Sequence, residues 1–187
     1  METSNILIVD DEPSVIQALK RSFLDDPYNV YPAISATEGL EILAANEIKV
    51  VISDEMMPGM SGADFLAKVR TSFPAIVRIM LTGQASLSAA IKAINKGEIY
   101  RFFTKPWDDF ELRFAVKSAV EKYDLEEENR RLLEIVKKQS LNMKLLEKEY
   151  PGITQLEYDE KGRIIIQDVP DEEIARIVAE LDIEYPA

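Results

Sequence analysis

Polar side chains follow four short apolar runs of the sequence, and they are Asp10 and Asp11, Asp54, Thr82 and Lys105. Carboxylates held close together raise one another's pKa unless a cation compensates, and an all-oxygen cluster suits a hard ion. We therefore expect Mg²⁺ at Asp11 and Asp54, with Asp10 close by. With the ion bound, a free oxygen of Asp54 could attack a phosphoryl group in line, while Lys105 and Thr82 bind its other oxygens.

The apolar runs alternate with amphipathic segments of helical length, which is typical of an α/β fold with a parallel sheet. Ligand sites of such folds lie beyond the carboxyl ends of the strands. The middle of the third run reads Val-Val-Ile, which indicates burial on both faces of the sheet. We predict that Asp11 caps the first helix, which begins at Pro13. The predicted strands span residues 5–9, 29–34, 49–53, 77–81 and 101–104, and the later helices span 36–45, 63–70 and 86–95.

A helical pattern then continues from Asp108 to about Tyr150 without proline or glycine. A heptad spacing within it predicts a coiled-coil seam and a homodimer, although the helix could instead pack on its own tail. After Pro151 the chain resembles a hairpin and a short helix, so we expect a receiver-sized domain at residues 1–123, an extended helix at 124–150 and a small acidic ββα module at 151–187. The seam residues are Leu125, Asn129, Leu132, Val136, Gln139, Met143, Leu146 and Tyr150.

Composition excludes several classes of function. The formal net charge of −12, without a basic stripe, argues against direct nucleic-acid binding. The chain has no histidine, which rules out an HD-type metallohydrolase site within it, and no cysteine, which rules out disulfides. The run at residues 6–9 is too short for a signal peptide or a membrane span, so we expect a cytoplasmic protein.

Four motifs together resemble the signatures of the response-regulator receiver family: Val9-Asp-Asp-Glu12, Ser53-Asp-Glu-Met-Met-Pro-Gly59, Leu81-Thr-Gly83 and Thr104-Lys-Pro106. Taken alone, each has a more ordinary interpretation, such as a helix cap or a solvated lysine. Their joint occurrence at the ends of four strands is specific. The segment from Gly97 to Trp107 is similar to receivers that precede HD-type phosphohydrolase domains.

The resemblance implies a doubly wound, flavodoxin-like, five-stranded sheet of order 2-1-3-4-5. It implies that Asp54 is the phosphoacceptor, that the backbone carbonyl of Met56 joins the Mg²⁺ ligands, and that a sensor histidine kinase or phosphotransfer protein is the donor. It also implies that Thr82 and Phe102 form a switch pair and that the Lys105–Pro106 bond is cis. The only enzymatic activity implied is autocatalytic phosphoryl transfer and autodephosphorylation at Asp54.

Three further functions stay open. The chain could be a truncated or divergent regulator whose enzymatic output domain is absent from it. The chain could be an enzyme, in which either the tail is catalytic or the receiver site is a self-standing phosphatase, although the tail offers no nucleophile–base pair or metal cluster. A transcription factor would need a basic helix-turn-helix after the receiver, and the acidic tail contains none.

Overall fold

The structure is a computed structural model that describes residues 3–83 and 99–150. Within them lie strands β1 (Ser4–Val9), β2 (Tyr28–Ala33), β3 (Val50–Asp54), β4 (Val77–Thr82) and β5 (Arg101–Thr104). They form one parallel sheet of order β2-β1-β3-β4-β5. The helices are α1 (Pro13–Ser22), α2 (Ala36–Ala45), α3 (Gly62–Ser72) and α4 (Asp109–Glu149).

The predicted fold class, strand order and long C-terminal helix are confirmed. The predicted helix at residues 86–95 and the ββα tail lie outside the described residues. The cis Lys105–Pro106 bond is also present. Strand and helix ends differ from prediction by one or two residues, because side-chain pattern does not resolve where the last backbone hydrogen bond forms.

Apolar residues of the strands alternate between the two faces of the sheet, and each face is covered by helices. All five residues of β3 are buried, as the Val-Val-Ile run predicts. One layer of the core packs between the sheet and α2 and α3, and it includes Leu7, Val9, Val51, Leu43, Phe65 and Val69. The other packs against α1 and α4, and it includes Ile6, Ile8, Ile52, Leu19, Leu112 and Val116.

The start of α1 differs from the prediction. Its N-cap is Glu12 rather than Asp11, and no side chain caps it there. Pro13, the first helical residue, has no N–H group, so the first turn has one fewer amide without an intrahelical partner. Asp10 instead accepts a hydrogen bond from the Glu12 amide at 2.9 Å. The prediction of Asp11 as the cap was wrong, and its side chain is exposed.

The first part of α4 is tied firmly to the sheet. Its buried residues end at Tyr123. Arg113 donates two hydrogen bonds of 2.9 Å to the carboxylate of Asp26, and Lys49 lies 2.7 Å from Asp124. Bidentate pairing fixes the orientation of the guanidinium as well as its distance. The position of α4 against β1 and β3 is therefore set by both apolar and ionic contacts.

The chain divides into two compact units, residues 1–133 and 134–187. The first contains the sheet. The described part of the second is the remainder of α4, where every residue except Glu147 is exposed. The domain boundaries predicted at residues 123 and 150 stay predictions. Among the described residues, no helix is long and apolar enough to cross a membrane.

Helix α3 begins in close contact with the end of β3. A Cβ atom placed on Gly62 would lie 2.0 Å from the backbone oxygen of Asp54. Backbone at this distance cannot move aside without shifting the whole helix, so we expect Gly62→Ala to lower the free energy of unfolding by about 2 kcal/mol or more. Urea denaturation would measure the loss.

Gly83→Ala is the matched control, because nothing lies within 4 Å of its Cβ position. It should change the free energy of unfolding by less than about 0.5 kcal/mol. Equal losses in the two variants would contradict the close packing of α3 on β3.

Candidate functional site

The predicted site residues lie together at the carboxyl edge of the sheet. Asp10 directly follows β1, Asp54 ends β3, Thr82 ends β4 and Lys105 directly follows β5. These four strands are consecutive neighbours in the sheet. Parallel strands bring their carboxyl ends to one edge, so residues far apart in sequence become adjacent.

One ammonium group joins the two buried carboxylates of this edge. The Nζ atom of Lys105 lies 2.8 Å from Oδ2 of Asp10 and 2.5 Å from Oδ1 of Asp54. Asp10 is 1% exposed and Asp54 is 5% exposed. Two carboxylates this deeply buried and this close would repel each other strongly without a cation between them. Lys105 supplies that charge.

Backbone amides engage the other oxygen of each carboxylate. The Met56 N–H donates to Oδ2 of Asp54 at 2.7 Å, and the Glu12 N–H donates to Oδ1 of Asp10 at 2.9 Å. Each carboxylate is thus held by one charged and one neutral donor. This arrangement fixes the direction in which Asp54 presents its oxygens.

Burial and pairing act in opposite directions on the titration of the site. Burial raises the pKa of Asp10, and the hydrogen bond and charge of Lys105 oppose this rise without cancelling it. For Lys105, burial alone would lower the pKa, but hydrogen bonds to Asp10 and Asp54 outweigh it and the pKa is raised. Lys105 is therefore charged at neutral pH, and Asp10 still experiences a net cost of ionisation that a second cation would relieve.

The donor set has the chemistry that Mg²⁺ requires. Asp10 and Asp54 contribute carboxylate oxygens at one point, and the Asp11 side chain, next to Asp10, is exposed to solvent. Over residues 3–83 and 99–150, no three acidic side chains are arranged as a ready-made metal cluster. Mg²⁺ usually takes one or two carboxylates and keeps several waters, so the two carboxylates of Asp10 and Asp54 fit this ion.

The two residues of the predicted switch pair, Thr82 and Phe102, lie on the neighbouring strands β4 and β5. Thr82 is fully buried, and its hydroxyl donates to the Gly83 carbonyl at 3.1 Å. Phe102 of β5 is paired with Met80 of β4. Its side chain is partly buried and packs against the core layer of α2 and α3. The movement assigned to the pair stays a prediction.

Sequence reasoning gave no role to Glu55, although the residue follows Asp54 directly. Its side chain is 6% exposed, and it accepts a hydrogen bond from the Ala63 N–H at 2.9 Å. Burial raises the pKa of Glu55; the Ala63 amide lowers it, and the charge of Asp54 raises it further. No local pattern indicated this contact, because Glu55 and Ala63 are eight residues apart and only the tertiary structure brings them together.

Comparison with known proteins gives a consistent result. A family model described as the response regulator receiver domain matches residues 6–117. HoxA of Cupriavidus necator, a hydrogenase transcriptional regulatory protein, is 36% identical over 69% of this chain and 27% of its own length. The transcriptional regulatory protein GlrR of Escherichia coli is 32% identical over 77% of this chain and 32% of its own. The chain thus spans about a third or less of these curated relatives.

Solved structures agree with the fold. The signal receiver domain of an HD domain-containing protein from Pseudomonas fluorescens is 40% identical, with a TM-score of 0.65 over 68% of this chain and 94% of that one. A response regulator receiver domain protein from Clostridium thermocellum is 35% identical, with a TM-score of 0.62 over 65% and 98%. The predicted likeness to receivers that accompany HD domains is confirmed.

Removing the shared ammonium should make stability depend more on pH. In Lys105→Met, burial of Asp10 is unopposed by a cation and its pKa rises further. The folded protein then binds more protons than the unfolded chain above about pH 4, so its free energy of unfolding falls as the pH rises. We expect a loss of about 2 kcal/mol at pH 7 and a smaller loss at pH 4, measured by denaturation at both values.

Lys49→Met is the control, since its partner Asp124 is half exposed. Its loss should stay below about 1 kcal/mol at both pH values. A Lys105→Met loss of the same size at pH 4 and pH 7 would show that the ammonium does not compensate buried carboxylates.

Proposed function

Because the chain belongs to the response regulator receiver domain family, we propose that Asp54 accepts a phosphoryl group from a sensor histidine kinase or phosphotransfer protein. The observation that carries this proposal is the single Lys105 ammonium shared by Asp54 and Asp10. In the reaction an oxygen of Asp54 attacks phosphorus in line, the phosphorus–nitrogen bond to the donor imidazole breaks, and the imidazole takes up a proton. We place this reaction in the cytoplasm.

Each residue of the site has a separate role in the proposed phosphoryl transfer. The Met56 amide holds one Asp54 oxygen, which orients the carboxylate for attack. Lys105 lies beside an oxygen of Asp54 and would move from this carboxylate to a phosphoryl oxygen, where negative charge develops during transfer. Asp10, Asp11, Asp54 and the backbone carbonyl of Met56 would hold Mg²⁺, which neutralises phosphoryl oxygens when bound.

Thr82 and Phe102 would convert the modification into a change of shape. The Thr82 hydroxyl can leave the Gly83 carbonyl and donate to a phosphoryl oxygen instead. The Phe102 ring, which is only partly buried, would then move toward the space that the hydroxyl vacates. Such a change needs a bistable element, and a half-buried aromatic ring at the end of the sheet supplies one.

The exposed part of α4 supports an output through self-association. The apolar side chains at the seam positions are exposed to solvent. Leu132 is 49% exposed, Val136 is 58% exposed and Met143 is 55% exposed. An apolar stripe of this length on a helix is stabilised when a second copy covers it. Asn129 and Gln139, the polar seam residues, would fix register at a cost in stability. We therefore propose a homodimer through Leu125 to Tyr150.

A second function has specific support. The curated relatives are regulators between three and four times as long as the matched region, so additional output domains accompany their receivers. The chain could thus be a truncated or divergent regulator whose enzymatic output domain lies elsewhere. In that case Asp54 chemistry would be unchanged, but the dimer would act on a separate partner.

Phosphorylation at Asp54 is tested by its amide variant. Asp54→Asn should abolish labelling by a small phosphoramidate in the presence of Mg²⁺, because the amide cannot form the acyl phosphate. Intact-protein mass spectrometry would show the added phosphoryl group in the wild type only. The exposed Asp25→Asn variant is the control and should label fully. Full labelling of Asp54→Asn would disprove the site.

The seam is tested by placing a charge on it. Val136→Asp should keep the 21.2 kDa chain monomeric at concentrations where the wild type dimerises, because a buried unpaired carboxylate opposes pairing. Light scattering would measure the mass with Mg²⁺ alone and then with beryllofluoride. A mass that rises only with beryllofluoride would show that phosphorylation controls pairing.

The control for this variant is Leu141→Asp. Leu141 is as exposed as Val136 but lies five residues on, about 140° around the helix. It should leave dimerisation unchanged. A wild type that stays monomeric with beryllofluoride bound, or equal disruption by both variants, would contradict the proposed dimer.

A further inference from the structure

Glu55 is a buried acid that directly follows Asp54, the proposed phosphoacceptor, in the sequence. Three hydrogen bonds of 2.9 Å hold it. Its N–H donates to the Leu81 carbonyl of β4, its own carbonyl accepts from the Gly62 N–H, and its Oε2 atom accepts from the Ala63 N–H. Backbone and side chain thus join the end of β4 to the first turn of α3 through one residue.

The residues on either side of Glu55 are those on which the proposed chemistry depends. Asp54 is the nucleophile, and Met56 orients it through an amide and is proposed to offer a carbonyl to Mg²⁺. The N–H and the carbonyl of Glu55 belong to the peptide units that join it to Asp54 and to Met56, so its backbone hydrogen bonds hold both units. Any interaction that fixes Glu55 therefore fixes the spacing between the attacking oxygen and the carbonyl ligand.

Helix α3 does not need Glu55 as its cap. The Ser61 hydroxyl accepts a hydrogen bond from the Asp64 N–H at 3.1 Å and donates to the Asp64 carboxylate at 2.9 Å. Asp64 also places a negative charge in the first turn, where the helix dipole favours one. The Glu55 carboxylate thus adds something that the local cap does not, namely a link between this helix and the loop of Asp54.

The contact between α3 and Asp54 is close enough for such a link to matter. Gly62 has no room for a Cβ atom against the Asp54 backbone. A small displacement of the first turn of α3 would therefore be felt directly by Asp54. A hydrogen bond to a carboxylate is stronger than one between neutral groups, so it resists this displacement better.

We infer that Glu55 is a positioning residue for phosphoryl transfer, whose carboxylate clamps the Asp54–Met56 segment to the N-terminus of α3 and so holds the magnesium ligands in register. This inference rests on the proposed function of Asp54. Glu55 itself touches neither the phosphoryl group nor the ion. Its effect is to keep the groups that do so in a fixed arrangement.

Three variants of the full chain separate this role from stability. Glu55→Ala removes the hydrogen bond, Glu55→Asp keeps the charge but shortens the reach, and Glu55→Gln keeps an acceptor for the Ala63 amide. Affinity for Mg²⁺ alone is measured from the fluorescence of Trp107, the only tryptophan, which lies two residues after Lys105. The labelling rate with a phosphoramidate is the second readout.

We expect Glu55→Ala and Glu55→Asp to weaken Mg²⁺ binding about tenfold, as loss of a supporting residue behind metal ligands does. Labelling should slow by a similar factor at low Mg²⁺ concentration. Glu55→Gln should stay within about threefold of the wild type, because its amide oxygen preserves the hydrogen bond. If Glu55→Ala fails to fold, Glu55→Asp alone decides the question.

Ser61→Ala is the matched control, since it removes the cap of the same helix without touching the Asp54 loop. It should lower the free energy of unfolding by about 1 kcal/mol and leave Mg²⁺ affinity unchanged. Wild-type Mg²⁺ affinity in Glu55→Asp would overturn the positioning role and leave Glu55 as a helix contact. A wild type that is not labelled at Asp54 would instead refute the proposed function, before any variant is compared.

Discussion

The structure of the site depends on one constraint, which is that two buried carboxylates must share a cation. Asp10 and Asp54 end neighbouring strands and are almost fully excluded from solvent. The Lys105 ammonium, contributed from the end of β5, is within hydrogen-bonding distance of both. Three strand ends are thus held at one point by charge, and the same charge is available to a phosphoryl group that arrives there.

Two groups of residues surround the site formed by Asp10, Asp54 and Lys105. In the first group, Glu55 and Gly62 hold the N-terminus of α3 against the backbone of Asp54. On the side of β4 and β5, the fully buried Thr82 and the partly buried Phe102 form the proposed switch pair. We propose that the first group stays fixed during the reaction and that the second changes position. A receiver needs both, because transfer requires fixed geometry and signalling requires two states.

The long helix α4 also has two parts, one packed against the sheet and one exposed to solvent. Up to Tyr123 it is anchored by buried apolar residues and by ion pairs to Asp26 and Lys49. Further along, its apolar side chains are exposed in a stripe that would be costly to leave in water. The relatives of this chain are longer regulators with further domains. The exposed seam after Tyr123 is the segment through which we propose that the signal is passed on.

The sequence pattern by itself determined the fold class and the four polar positions at the edge of the sheet, whereas the strand order followed from the resemblance to the receiver family. It could do so because apolar runs alternate with amphipathic ones and because parallel strands bring their carboxyl ends together. It did not determine which neighbouring acid turns inward. Asp10 is buried while Asp11 is exposed, and Glu55 reaches Ala63 without having been assigned a role. Those outcomes depend on strand register and on how closely α3 packs against β3. Only the tertiary structure decided them, because distances across a sheet are not encoded in any local pattern.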